Sequence, residues 1–324
     1  MSINASDLTE RNIVIHAPLF TDNELGTLRD TLRARLPPGT ASPGTRYTAS
    51  AADLLLSKPI EAALGVSAQL GLADSELRLR MAGGVQAIVD ECEAQLGRGT
   101  ARSREDMRLL EYVLHEPAAA HEGLHEEGRA GQSLAYFTAH PNARRAGLSA
   151  AHVVALRFYT TEAYTSINEP LRDVERGGPH PFAATVAFIA EAIGKLGALQ
   201  APEASSSSTA RAPPARLWRG MRNVRAPEEL MRIGGTELAP LSCTPDLALA
   251  ARFAAAKTSL LFVMSDSSFM QRGASLQWLS TMPHEDEYLY PPCTYVQPTG
   301  RKQSIQVTDQ VECIVLEVTP QFRS

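Results

Sequence analysis

Glu285 and Glu287 stand two apart in Glu285-Asp-Glu-Tyr-Leu-Tyr-Pro-Pro292. Residues two apart on a β-strand point to the same side, so the segment predicts a strand with both carboxylates on one face and Asp286 on the other. Two close carboxylates raise the pKa of one of them, which suits a proton acceptor working near neutrality. Arg219 lies in the middle of Leu217-Trp-Arg-Gly-Met221, an apolar strand pattern. Ser242 lies in Leu241-Ser-Cys-Thr-Pro245, followed by Ala248, Ala251 and Phe253, a strand that runs into a helix. Taken singly, each has an ordinary reading. The glutamates fit a solvated strand edge, Arg219 an ion-pair partner, and Ser242 a helix N-cap or turn.

A different chemistry is offered by His121-Glu-Gly-Leu-His125, which fits the H-E-x-x-H pattern of zinc peptidases. There, two imidazoles on one helix face would bind Zn²⁺ and Glu122 would act as base. Gly123, Gly128 and Gly131 weaken the helix this needs, position 131 is glycine where a third histidine would stand, and Glu126 puts a charge where such a helix turns apolar. The sequence therefore predicts no metal site here.

In their order along the chain, Arg219, Ser242 and the Glu285/Glu287 pair resemble the arginine–serine–glutamate signature of the arginine-specific mono-ADP-ribosyltransferases. The resemblance extends upstream to Ala155-Leu-Arg-Phe-Tyr-Thr160, Tyr164, Ile167-Asn168 and Leu171-Arg172, and covers the chain from Leu148 onward. It implies an enzyme that uses NAD⁺ as substrate and carries ADP-ribose to an arginine of an acceptor protein. Catalytic roles then fall to Glu287, Glu285, Ser242 and Arg219. Glu287 shelters the ribose cation, Glu285 holds and deprotonates the acceptor guanidinium, Ser242 steadies Glu287, and Arg219 binds the diphosphate as a planar charged fork. The cofactor-binding set is Arg219, Gly220, Ser242, Thr244, Tyr159, Tyr164, Asn168 and Glu287. The approach Met282-Pro283-His284 corresponds to the loop that reads the acceptor. Cys243 replaces a small hydroxyl residue and Leu241 an aromatic one. The alternatives are an NAD⁺ glycohydrolase using the same site and a catalytically silent NAD⁺-binding module; the intact residues argue against the latter.

These residues need elements to hold them. Ser149 is a predicted N-cap for a helix containing Val153, Leu156 and Tyr159. Tyr164 and Asn168, four apart, share a face if helical. Phe182, Val186, Ile189, Ile193 and Leu196 follow at helical spacing. After a Ser/Pro-rich linker or loop at about 201–215, the apolar period changes from 3.6 to 2. Leu260 to Met264, Glu287 to Tyr290, Thr294 to Val296 and Cys313 to Val318 read as strands. Helices first and strands second predict an α+β fold. The resemblance adds a two-sheet sandwich around an NAD⁺ cleft with a helical lobe in front. The organisation read from this is a mainly helical region at 1–139, whose pattern assigns no chemistry, and a catalytic domain at 140–324.

Composition narrows the classes further. The chain has 324 residues, 44% of them hydrophobic, and a formal net charge of −5, an ordinary globular balance. A mildly acidic chain with no Lys/Arg block argues against a nucleic-acid partner. Cys92, Cys243, Cys293 and Cys313 are far apart with no C-x-x-C pair, so free thiols are expected and not a disulfide scaffold. No apolar run reaches the roughly 20 residues that span a bilayer, and the first residues lack a signal-like apolar core. Those readings predict an intracellular protein without a membrane partner.

Overall fold

The computed structural model describes residues 19–36, 55–56, 66–118, 120–121, 124–173, 175–199, 216–224, 226, 228–265, 273–309 and 311–322. The linker expected at 201–215 lies outside them. The first half is helical: α1 (Asp22–Arg35), α2 (Val66–Gln69), α3 (Asp74–Met81), α4 (Val85–Leu96), α5 (Ala101–His115), α6 (Leu134–Ala139), α7 (Pro141–Arg145), α8 (Ala150–Tyr159), α9 (Tyr164–Arg172) and α10 (Ala183–Ala198). The second half supplies the main strands, so the expected α+β class is observed. Among the described residues, no helix is long and apolar enough to cross a membrane.

Local signals explain the key helices. Ser149 caps α8, its side chain accepting from the His152 amide while the His152 ring accepts from the Ser149 amide. From Ala151 to Tyr159 α8 is buried on every side, as expected of a helix at the centre of a lobe. The stripe predicted from Phe182 to Leu196 forms α10, but Phe182 at its start has no capping side chain. Glu91 on α4 fills that role from outside. Its carboxylate accepts from the Ala184 amide at 2.6 Å, the Thr185 amide at 3.0 Å and the Thr185 hydroxyl at 2.8 Å. Helix N-termini leave amide donors without intrahelical partners, and an anion is favoured there.

The strands are β1 (Leu55–Leu56), β2 (Ala120–His121), β3 (Leu124–His125), β4 (Arg216–Arg222), β5 (Gly235–Glu237), β6 (Leu241–Cys243), β7 (Thr258–Ser265), β8 (Ala274–Ser275), β9 (Tyr288–Tyr290), β10 (Thr294–Thr308) and β11 (Val311–Gln321), with α11 (Glu228–Ile233) and α12 (Leu247–Ala254) between them. One six-stranded sheet runs β1-β5-β10-β11-β7-β4 and one three-stranded sheet runs β6-β9-β8. Within the larger sheet only β7 and β11 pair in parallel. Trp218 and Thr244 form an isolated bridge from β4 to the residue after β6, so Arg219 on one sheet and Ser242 on the other are brought to one place. Between the two sheets pack Leu217, Leu241, Cys243, Phe262, Met264, Tyr290 and Leu316. Helix α12 lies on the other face of β4. A Cβ at Gly220 would stand 1.8 Å from the Ala250 carbonyl oxygen, so only glycine lets helix and strand approach this closely.

Two features of the N-terminal half bear on its organisation. Leu109, Leu110 and Phe137, before the expected boundary at 139, share one core with Val153, Leu156, Phe158 and Ile189 after it. Helix α1 sits elsewhere, with Leu28 and Leu32 packed on Trp218, Leu247, Ile305 and Val307 of the larger sheet and its helix.

One local expectation is corrected. The glutamates do not lie on a strand: Pro283–Glu285 is a 3₁₀ turn, Asp286 is left-handed (φ 44°, ψ 52°), and β9 starts at Tyr288. Pro283 favours the turn, and Asp tolerates the left-handed conformation better than most residues. The described residues of His121-Glu-Gly-Leu-His125 form no helix, in line with the glycines around them. Among its described residues His121 pairs with Leu124 across an antiparallel hairpin, so the helix face that a zinc peptidase requires is not formed. The strands read at Thr294 to Val296 and Cys313 to Val318 are formed, within longer antiparallel partners of 15 and 11 residues.

Candidate active site

Arg219 reaches from β4 into a cluster of two arginines around one carboxylate. Glu237, at the end of β5 and 1% exposed, accepts from Arg172 Nε at 3.0 Å and Nη2 at 3.2 Å and from Arg219 Nη2 at 3.3 Å. The Ala239 amide donates to the same carboxylate at 3.0 Å, and Arg219 Nη1 donates to the Ser242 carbonyl at 2.9 Å. One carboxylate cannot neutralise two guanidinium groups, so the cluster keeps a net positive charge on side chains that are not fully buried. Arg219 Nε is buried with no partner. Glu237 is a residue the sequence reading missed, because Gly-Gly-Thr-Glu-Leu carries no pattern that separates a buried clamp from a surface acid.

Ser242 and Glu287 meet across the smaller sheet. Ser242 pairs with Leu289 in the register of β6 and β9, and its hydroxyl hydrogen-bonds the Glu287 carboxylate. Glu287 is 8% exposed. Burial pushes its pKa from 4.5 to about 7; the Glu285 charge adds to the rise, while the Ser242 hydrogen bond and Arg219 oppose it. The two carboxylates are thus near each other as expected, although a turn and a left-handed residue do the placing. Burial also raises the pKa of Glu285, and Arg252 on α12 opposes that rise. Thr244 fixes the turn: its hydroxyl donates to the Glu285 carbonyl at 2.8 Å and accepts from the Asp246 amide at 3.1 Å. These contacts tie Thr244 to the backbone around Glu285.

The helical lobe closes the site from α8 and α9. Tyr159 is buried, its hydroxyl donating to the Pro240 carbonyl at 3.3 Å and accepting from Asn168 Nδ2 at 3.1 Å. Burial raises the Tyr159 pKa, and the neighbouring Glu287 charge adds to it. Asn168 Oδ1 is buried without a partner. Tyr164 is exposed, its ring centre 6.5 Å from that of Tyr159. Arg219, Ser242, Glu285, Glu287, Tyr159 and Asn168 are therefore grouped, with Tyr164 at the outer edge. Gly220 faces α12, where its close packing explains the residue. Cys243 contacts Met264 in the core between the sheets, Sγ to Sδ 3.5 Å. Among the described residues, no group of three or more His, Cys, Asp or Glu side chains is placed to hold a metal ion.

No protein-family model matches the chain, and no curated protein sequence matches it. Several solved structures are similar to it. ADP-ribosyltransferase HopU1 of Pseudomonas syringae pv. Tomato is 17% identical, with a TM-score of 0.42 over 68% of this chain and 97% of that one. A mutant of the eucaryotic mono-ADP-ribosyltransferase ART2.2, in complex with NADH, is 13% identical, with a TM-score of 0.45 over 79% and 91%. Plx2a, an ADP-ribosyltransferase toxin from Paenibacillus larvae, is 16% identical, with a TM-score of 0.38 over 54% and 88%. At these scores the functional reading rests on the site's own residues.

Proposed function

We propose that the chain is a mono-ADP-ribosyltransferase that moves ADP-ribose from NAD⁺ to the guanidinium of a protein arginine. The observation that carries this reading is the buried Glu287 carboxylate, hydrogen-bonded by Ser242 and set beside the positively charged cluster of Arg219 and Arg172. When the bond between ribose C1′ and the nicotinamide nitrogen breaks, nicotinamide leaves with the bonding pair and positive charge grows on the ribose. A carboxylate at the ribose hydroxyls gains more from that charge in the transition state than in the ground state, which is the condition for catalysis. Glu287, with a pKa of about 7, is ionised in about half the molecules at neutral pH.

Other residues take roles their surroundings support. Arg219 receives the diphosphate as a planar fork. Asn168 Oδ1 and Arg219 Nε, both buried without partners, are polar atoms that a bound dinucleotide would satisfy. Tyr159 walls the pocket and Tyr164 stacks at its mouth, limiting water. Glu285 holds the acceptor guanidinium through paired hydrogen bonds and accepts its proton as the nitrogen attacks C1′. The products are ADP-ribosylarginine, nicotinamide and one proton. Water in place of the guanidinium gives NAD⁺ hydrolysis on the same residues. That second reading is favoured to the extent that the Glu287 side chain is held by Ser242, which does not touch the acceptor.

Incubating the purified chain with labelled NAD⁺, with and without agmatine as a guanidinium acceptor, tests the proposal. Glu287→Gln is expected to remove both transfer and hydrolysis, by on the order of 100-fold or more. Glu285→Gln is expected to remove transfer and leave measurable hydrolysis. Equal loss of both activities in the Glu285 variant contradicts this division of labour.

A further inference from the structure

The turn that delivers Glu285 does not hold itself together. Within residues 276–286 its own amides satisfy the carbonyls of Leu276, Met282 and Pro283. The carbonyls of Gln277, Leu279, Ser280 and Thr281 are instead held by donors from residues 125–157. Arg129 donates to Gln277 and Ser280. Arg157 Nη1 donates to Leu279 at 2.8 Å, and the His125 amide donates to Thr281 at 3.2 Å. Thr160, at the end of α8, locks the same turn, exchanging hydrogen bonds of 3.0 and 2.7 Å with Thr281.

Behind this contact stands a buried ion pair. Arg157 is 1% exposed and Glu126 4%. Two hydrogen bonds join them, Nη2 to Oε1 at 2.8 Å and Nη1 to Oε2 at 3.2 Å. The Tyr112 hydroxyl donates to Glu126 at 2.7 Å, and the Phe137 ring lies 3.9 Å from the Arg157 guanidinium carbon. The pair is thus fixed in direction, and Nη1 is shared between Glu126 and the Leu279 carbonyl of the turn, while Nε is buried without a partner. Glu126 is the charge that spoiled the zinc-peptidase pattern. The hairpin His121–His125 leads directly into it, and the His125 ring meets that of His284 edge-on at 5.8 Å.

Resting on the proposed transferase reading, we propose that Glu126, Arg157 and Arg129 form a brace that positions Glu285, and so govern transfer to the acceptor while sparing NAD⁺ cleavage. The two glutamates are anchored differently. Glu287 stands one residue before β9, its carbonyl accepting from the Leu276 amide at 2.8 Å and its side chain held by Ser242. Glu285 closes the turn, its amide donating to the Met282 carbonyl at 3.0 Å and its carbonyl accepting from the Thr244 hydroxyl at 2.8 Å, so its backbone is held at one end by Thr244 and at the other by the braced turn. Loosening the brace displaces the turn, and with it Glu285, before it disturbs the sheet. Displacing a reacting group by about 1 Å can cost on the order of 100-fold in rate. The three braces are positioning residues. None of them touches Glu285 or Glu287.

The test compares Arg157→Lys, which keeps the charge but loses the fork, with Arg129→Ala, a half-buried site whose loss leaves the ion pair intact. In each, agmatine transfer and NAD⁺ hydrolysis are measured on the full chain, with amide hydrogen exchange over residues 277–286. The expected result is a fall of about tenfold or more in the transfer-to-hydrolysis ratio, a raised KM for agmatine, and faster exchange in the turn but not in β9. If Arg157→Lys does not fold, Arg129→Ala decides alone. A ratio unchanged from wild type, with both activities falling in step, overturns the brace and leaves the transferase reading standing. A wild-type chain that never modifies agmatine overturns that reading and this inference with it.

Discussion

Glu287→Gln is expected to stabilise the fold increasingly as pH rises, even though it removes activity. The folded chain holds the Glu287 proton up to about pH 7, whereas an ordinary glutamate releases it near 4.5. Between those values the unfolded chain binds fewer protons than the folded one, so stability falls as pH rises. Below pH 4.5 both states are protonated and no cost exists; above 7 both are ionised and the cost is complete. At about 1.4 kcal/mol per tenfold change in proton affinity, the full cost is about 3 kcal/mol, most of which accrues between pH 5 and 8. Glutamine carries no proton to lose. The stability difference, variant minus wild type, is therefore expected to grow by about 2 kcal/mol over that range. Denaturant unfolding followed by the fluorescence of Trp218 and Trp278, at fixed pH values from 5 to 8, measures it. Titrations shared by both proteins cancel in the difference. A flat difference would mean that Glu287 ionises as it does in water, and the burial argument for its catalytic role would be lost.

Other consequences follow from the same geometry. NAD⁺ hydrolysis in the wild type is expected to rise through about pH 7, as Glu287 ionises, and the inflection should move to lower pH in Glu285→Gln, because the Glu285 charge helps to raise it; a pH profile of kcat checks both. Gly220→Ala is expected to prevent soluble folding or lower stability by about 3 kcal/mol or more, since its Cβ would meet the Ala250 carbonyl at 1.8 Å. Glu91→Ala is expected to cost about 1–2 kcal/mol and to speed amide exchange at Ala184 and Thr185, whose amides it caps.

What the sequence disclosed followed from how local each signal is. The cap at Ser149, the stripe from Phe182 to Leu196 and the apolar run Leu260 to Met264 are written in neighbouring residues, and the structure forms the elements they predict. Arg219, Ser242 and Glu287 were legible as motifs, and the structure gathers them. The placement of Glu285 was read by the wrong rule, because period-two logic does not anticipate a turn begun by Pro283 and closed by left-handed Asp286. The middle of β10 was not legible at all. Gly300-Arg-Lys-Gln-Ser304 holds no apolar residue to mark a strand, and from Lys302 onward it is pairing with β11 that makes it one. Glu237 and Glu126 were illegible for the same reason, since their partners lie far away along the chain.

Those two hidden carboxylates share a physical logic that ties the motifs together. A buried charge is tolerated only when it is paired and hydrogen-bonded, so each acid must be met by an arginine of fixed geometry. Glu237 gathers Arg219 and Arg172 where a strand end meets a helix, the pair of guanidinium groups that the proposed reading assigns to the diphosphate. Glu126 holds Arg157, whose Nη1 also donates to the turn before Glu285, at the end the same reading assigns to the acceptor. Removing either acid takes an arginine's carboxylate partner away, and the damage is local to that end. On the proposed transferase reading, breaking the glycosidic bond and choosing the nucleophile rest on separate ion pairs contributed by separate elements, and are expected to fail separately.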